Sequence, residues 1–160
     1  AQSTVFWVSK SGVGPYNACM SEAEITAKPG ITRCPEVPND HPEQCYQFLS
    51  DSKEGLTGYK LFTSAGLLRR ALVSEPRFKT AEGASLGMSL DELRALYISP
   101  SYLRSEKGRW IFAVPQLGAF FHLSDTQSAN VALLPGTSKV VKIEVVFPCG
   151  ASAIKPGSEF

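Results

Sequence analysis

The sequence is poor in the side chains that most often carry chemistry. It holds two histidines, His41 and His122, in 160 residues. Neither stands at finger-like spacing from a cysteine, and no C-x-x-C occurs, which argues against zinc. No apolar run approaches the roughly 18 residues of a membrane span. Charge of one sign is nowhere concentrated: 16 basic and 15 acidic side chains give a net +1. A nucleic acid or an anionic membrane would need clustered positive charge, so neither is an expected partner. Gly-Val-Gly at 12–14 is followed by no Lys-[Ser/Thr], so it is not a phosphate loop. Its glycines suit a turn with φ > 0 into a first helix. No cofactor and no metal is expected.

What is present describes a chain able to build an interior. Apolar residues make up 43% and charged residues 19%, outside the range of disordered chains. Residues 1–150 are expected to form a single domain. The four cysteines, Cys19, Cys34, Cys45 and Cys149, read as two disulfides and therefore as an oxidising compartment. A start at Ala-Gln-Ser without Met agrees with removal of an export signal, so a periplasmic or secreted location is expected. The tail 151–160 ends Gly157-Ser158-Glu159-Phe160, in the manner of a cloning remnant, and carries no functional expectation.

The chain contains a phrase said twice. With Met20 aligned on Met88, Ser21 falls on Ser89, Glu24 on Glu92 and Ile25 on Leu93. Ser-x-x-Glu ahead of an apolar-periodic stretch is a capping box. Leu90, Leu93 and Leu96, with Tyr97 beside them, make a helical stripe, whereas Pro29-Gly30 keeps the first helix short. Each helix is followed by three apolar runs: 45–50, 57–63 and 66–74, then 109–114, 118–124 and 138–147. Ser64-Ala65-Gly66 and Gln116-Leu117-Gly118 read as hairpin connections, and an opening strand covers 4–9. In 138–147, Val141, Ile143 and Val145 alternate with Lys142 and Glu144, the pattern of a half-buried strand. The expected fold is α+β: two helix-plus-antiparallel-meander repeats, about 11–75 and 82–147, forming one sheet with helices on one face.

The stretches GVGPYNACMSEAEI, HPEQCYQF, GLLRRALVSEPRFKTAEGASLGMSLDEL and a late FPCG resemble a group of exported bacterial proteins. That group carries a duplicated Gly-x-Gly-Pro…Gly-Met-[Ser/Thr]-x-x-Glu pattern over about residues 11–150. The element is also similar to that of β-lactamase inhibitory proteins and of the small lipoprotein of the outer-membrane assembly machine. Both are non-catalytic and work by binding proteins, and the likeness implies architecture more than function. In the first copy Cys19 replaces the pattern's glycine, which Gly87 keeps in the second. The resemblance implies a Cys45–Cys149 bridge, leaving Cys19–Cys34 to tie helix start to loop; Cys34–Cys45 stays open as an alternative.

The expected function is an exported, non-catalytic module binding another protein through its sheet face, an inhibitor or immunity-type factor. The alternatives are a small-ligand or glycan-binding protein and, third, a hydrolase. His122, near Ser124 and Asp125, reads as an outward polar position of a strand rather than a catalytic base. Asp40, His41 and Glu43 form a loop with ligand-type side chains that a capped turn explains equally. Arg69-Arg70 and Arg104…Lys107…Arg109 read as solvated faces or as contacts for an acidic partner. Aromatics are the better lead. Among Tyr16, Tyr59, Tyr102, Trp110, Phe120 and Phe121, the candidate binding residues are Trp110, Phe121 and Tyr102, with Arg109 beside them. Phe120 and Phe121, adjacent in a strand, must face opposite ways.

Overall fold

A computed structural model of the chain describes residues 6–38, 40–48, 59–125 and 127–149. In chain order it begins β1 (Phe6–Ser9), β2 (Gly12–Val13), β3 (Tyr16–Asn17), α1 (Glu22–Thr26), β4 (Ile31–Arg33) and β5 (Gln44–Phe48). It continues β6 (Tyr59–Ser64), β7 (Leu67–Val73), β8 (Phe78–Thr80) and α2 (Leu90–Leu96). The last elements are β9 (Ser101–Arg104), β10 (Trp110–Val114), β11 (Ala119–Leu123) and β12 (Val140–Val146). The strands form a four-stranded sheet, β3-β2-β1-β8, and an eight-stranded sheet, β4-β5-β6-β7-β12-β11-β10-β9.

This is a β-rich fold, and it corrects the α+β expectation of one sheet with helices on one face. The helices span five and seven residues, too few to form a layer. Pro29-Gly30 follows the first, and beyond the second Ser99 takes a left-handed φ of 57° ahead of Pro100. Part of the work assigned to helices falls to the smaller sheet. Val8, Val13, Tyr16 and Phe78 join Ile25, Leu90 and Leu93 in the same core as Leu61, Val73, Phe112, Phe121 and Ile143 of the large sheet. Tyr59 of the large sheet meets Phe78 of the small one with ring centroids 5.2 Å apart. The opening strand could be read from its residues. Its parallel pairing with β8 could not, because nothing local specifies so distant a neighbour.

The opposite face of the large sheet is covered too. Phe62, Leu72, Ile111, Ala113, Phe120 and even His122 and Glu144 are buried there. Glu144 therefore corrects the half-buried reading of 138–147. Alternation of apolar and charged residues predicts a wet face only when the charges lack buried partners.

The two capped segments make matching hydrogen bonds. The N–H of Cys19 donates to the Leu68 carbonyl and that of Leu68 to the Met20 carbonyl; Gly87, Val140 and Met88 repeat the pair. Glu22 N–H to Gly66 is likewise matched by Leu90 N–H to Ser138. Ser89 completes a capping box with Glu92. Ser21 accepts from Glu24 N–H, but its hydroxyl, not its N–H, donates to the Glu24 carboxylate. Cys19 occupies the left-handed region at φ 65°, where its counterpart Gly87 sits at 86°. The glycine of the pattern is a conformational requirement, and Cys19 meets it against its intrinsic preference.

The bridges are Cys19–Cys149 and Cys34–Cys45, which corrects the pairing implied by the resemblance. Cys19 N–H donates to the Leu68 carbonyl, and the bridged Cys149 Sγ lies 3.3 Å from the same oxygen. The start of the first capped segment is thereby tied to the strand leaving β12. Cys34 N–H donates to the carbonyl of Cys45, so that pair is already hydrogen-bonded across the β4–β5 connection.

Candidate ligand cleft

The parallel strands β1 and β8 end side by side, and their turns, Lys10-Ser11 and Ala81-Glu82, open onto the large sheet. There Pro115–Leu117 forms a short 3-10 turn, followed by Gly118 and then Ala119, which pairs with Val145 across β11 and β12. Between these walls lies a cleft of about 310 Å³. Val8, Ala119 and Val145 are buried at its base, and Leu117 packs against the same core. Ser9, Lys10, Ser11, Thr80, Glu82 and Gln116 supply its polar rim. The room comes from small side chains, Ala81 and Ala119, where larger ones would close it. Sites for small molecules typically run from about 300 to 1,000 Å³ and combine apolar walls with a few placed polar groups. This cleft lies at the small end of that range.

Its walls are fixed by particular contacts. A Cβ on Gly12 would come 2.4 Å from the Tyr16 carbonyl oxygen, so only glycine allows the tight β1-β2-β3 ribbon. Gly118 stands at φ 66°, and a Cβ there would approach the Val146 carbonyl to 2.6 Å and the Lys10 Cγ to 3.4 Å. The lysine stem thus lies along bare backbone. Across the mouth, Tyr97 donates to Glu82 Oε1 at 2.9 Å and lies 2.7 Å from Thr80 Oγ1. With the phenol hydrogen given to Glu82, the Thr80 hydroxyl donates to Tyr97 and accepts from Ala84 N–H. Burial, then the neighbouring Glu82, push the Tyr97 hydroxyl well above the usual phenol range, so it stays a donor.

The residues singled out from the sequence lie elsewhere. Phe121 is fully buried against Tyr97 and Phe112. Trp110 is 9% exposed, its indole N–H donates to the Ser128 carbonyl, and the Arg104 guanidinium stacks 4.3 Å from its ring. Tyr102, half-buried on the edge strand β9, accepts from Arg94 Nε and meets Phe112 edge-on. Arg109 donates to the Leu123 carbonyl. Trp110, Tyr102 and Arg109 therefore gather around β9 and β10, away from the cleft, and Phe121 lies in the core. Sequence reasoning missed Val8, Lys10, Thr80, Glu82, Leu117 and Ala119. The available signals were the Gln116-Leu117-Gly118 connection, read only as a hairpin, and the Phe78-Lys79-Thr80 segment of the stretch that carries the resemblance.

His122 and Arg70, with Glu144 and Glu43, form a chain of buried and part-buried polar contacts instead. His122 Nε2 is 2.9 Å from Glu144 Oε1, and Arg70 Nη1 donates to Glu144 Oε2 at 3.4 Å. Arg70 also grips Glu43 with two bonds of 3.1 and 2.9 Å and stacks 4.0 Å from the Phe62 ring. Arg70, Glu144 and His122 are wholly buried, so neither the outward reading of His122 nor the solvated reading of Arg69-Arg70 holds. His122 Nδ1 is buried without a partner. Glu43, one of the loop's ligand-type side chains, neutralises Arg70, and His41 Nδ1 accepts from Glu43 N–H. Among the described residues no three His, Cys, Asp or Glu side chains are grouped to hold a metal ion. No described helix is long and apolar enough to cross a membrane.

No family model matches the sequence, and no curated protein matches it. Among solved structures, the chain is similar to the uncharacterized protein yfeY from Escherichia coli. The TM-score is 0.61 at 13% identity, over 90% of this chain and 99% of that one. At that identity the likeness is one of fold.

Proposed function

We propose that the protein is an exported, non-catalytic binding protein whose recognition site is the cleft between its two sheets. The observation that carries this is the cleft itself, an apolar base with a polar rim at the ends of β1, β8 and β12. The two disulfides support an oxidising compartment. Against hydrolysis stands the placement of the histidines. His122 has no exposed surface and its Nε2 is held by Glu144; the His41 ring is engaged with the backbone of Glu43. A general base must reach its substrate, and His122 does not. The matching bonds of the capped segments support a duplication of one structural unit, with the cleft at the junction between its small and large sheets. Titration with a library of small apolar fragments, followed by backbone amide NMR, tests the reading. Shifts should converge on Val8, Thr80, Leu117 and Val145; shifts scattered over the surface would remove it.

One observation favours a second reading, contact with another protein. Trp7, on the face of β1 opposite Val8, is 60% exposed beside Lys79. Exposed tryptophans are frequent anchors of interfaces. If the partner is a protein gripped here, Trp7→Ala weakens its capture by about 2 kcal/mol while leaving fragment binding in the cleft unchanged.

A further inference from the structure

Resting on the cleft as the recognition site, we propose that its ligand is a small monocarboxylate with a compact unbranched apolar body, such as a medium-chain aliphatic acid. Three features of the mouth point to this chemistry. Lys10, exposed in the β1–β2 turn, is the cation lining the cleft, and among the described residues its ammonium has no ion-pair partner. Its stem starts out beside Gly118, with Cγ 3.4 Å from where a Cβ there would stand, so the side chain leaves the backbone at the rim. A second hollow of about 200 Å³ opens on its other side, between Pro115, Phe120 and Pro148, and among the described residues no other charged side chain lines it. Lys10 is therefore the positive charge at the meeting of two apolar hollows.

Next to it, Ser9 donates its hydroxyl to Ser11 Oγ, and Ser11 N–H donates back to Ser9 Oγ. The Ser11 hydroxyl, which accepts there, keeps its own hydrogen to donate. An ammonium and a hydroxyl side by side match the two oxygens of one carboxylate. The opposite rim carries Glu82, whose carboxylate already accepts from Tyr97. A second anionic group would meet Glu82, so the site selects one carboxylate and rejects dicarboxylates. The base of Val8, Leu117, Ala119 and Val145 offers no polar side chain, so the remainder of the ligand is hydrocarbon. A volume of about 310 Å³ limits it to a short chain.

Isothermal titration at neutral pH with hexanoate, octanoate, octan-1-ol and octylamine tests the proposal. Octanoate should bind, each methylene from hexanoate upward tightening binding about three- to fourfold. Octan-1-ol should bind about tenfold more weakly, and octylamine more weakly still. Lys10→Met, an exposed turn substitution, should bring octanoate down to the level of octan-1-ol and leave octan-1-ol unchanged. Ala81→Trp, which fills the mouth from an exposed position, should abolish both. If octan-1-ol binds as well as octanoate, the anionic selectivity is overturned and the cleft survives. Preference for octylamine would assign the rim to Glu82 and overturn the proposal. Failure of all four ligands, with no fragment shifts at Val8 or Val145, would overturn the cleft reading as well.

Discussion

Cys19 combines a crosslink with a backbone conformation that its side chain disfavours, and the two effects separate experimentally. The Cys19–Cys149 bridge spans 130 residues. In the chain-entropy description, closing a loop of that length stabilises the native state by about 5 kcal/mol. At the same time Cys19 holds φ at 65°, which costs an L side chain about 1–2 kcal/mol relative to glycine. Glycine's greater freedom in the unfolded chain returns about 0.4–1 kcal/mol of that. Two double variants follow, Cys19→Ala with Cys149→Ala, and Cys19→Gly with Cys149→Ala. Both retain Cys34–Cys45 and lack the long crosslink, so their difference isolates position 19. The glycine pair should be more stable by about 0.5–1 kcal/mol, and both should lie several kcal/mol below the native protein. Urea unfolding with midpoint and slope measured for each reads this directly. An alanine pair as stable as the glycine pair would refute the left-handed assignment. A double variant as stable as the native protein would refute the crosslink's role.

Four further outcomes are expected. Ser89→Ala should lower stability by about 1 kcal/mol, and Ser21→Ala by less, since only Ser89 completes its box. The same cap holds the Glu92 carboxyl below its ordinary 4.5, chiefly through the Ser89 N–H. Its contribution is present above the unfolded value and lost as pH falls through the folded one, so Glu92→Gln should flatten the acid-side decline of Tm. Ala65→Gly should stabilise by about 1 kcal/mol, because Ala65 and Gly66 take φ of 54° and 78° in the β6–β7 turn; a loss in thermal unfolding would contradict this. Arg70→Met should cost about 3 kcal/mol or more by leaving Glu144 and Glu43 unneutralised. Denaturation of the Arg70→Met, Glu144→Gln double variant should then show strong non-additivity.

The legible part of the structure was local. Ser21 and Ser89 announced helix starts because a cap is written in four consecutive residues. The runs 57–63, 66–74, 109–114 and 118–124, which became β6, β7, β10 and β11, were readable because short, mostly apolar runs between turn residues have few other fates. Strand pairing was less accessible. The parallel β1–β8 contact joins residues some 72 positions apart, Phe6 to Phe78, and no residue in either strand encodes it. The disulfide pairing failed for the same reason: Cys149 meets Cys19 only because β12 runs beside β7. Trp110 and Phe121 drew attention as rings, yet ring size predicts burial better than binding. The cleft was hidden because it is made of absences, the small residues Ala81 in the turn after β8 and Ala119 at the start of β11.

The claim that the cleft is the recognition site is tested most directly by comparing ligand-induced NMR shifts in the native protein and in Ala81→Trp. Ala81 is an exposed turn residue on the cleft wall, so an indole there occupies the mouth without entering the core. The account predicts that native shifts converge on Val8, Leu117, Ala119 and Val145 and vanish in the folded variant. Shifts that persist in Ala81→Trp, or that converge on Trp7 or on the Trp110–Tyr102 end of the large sheet, would contradict it.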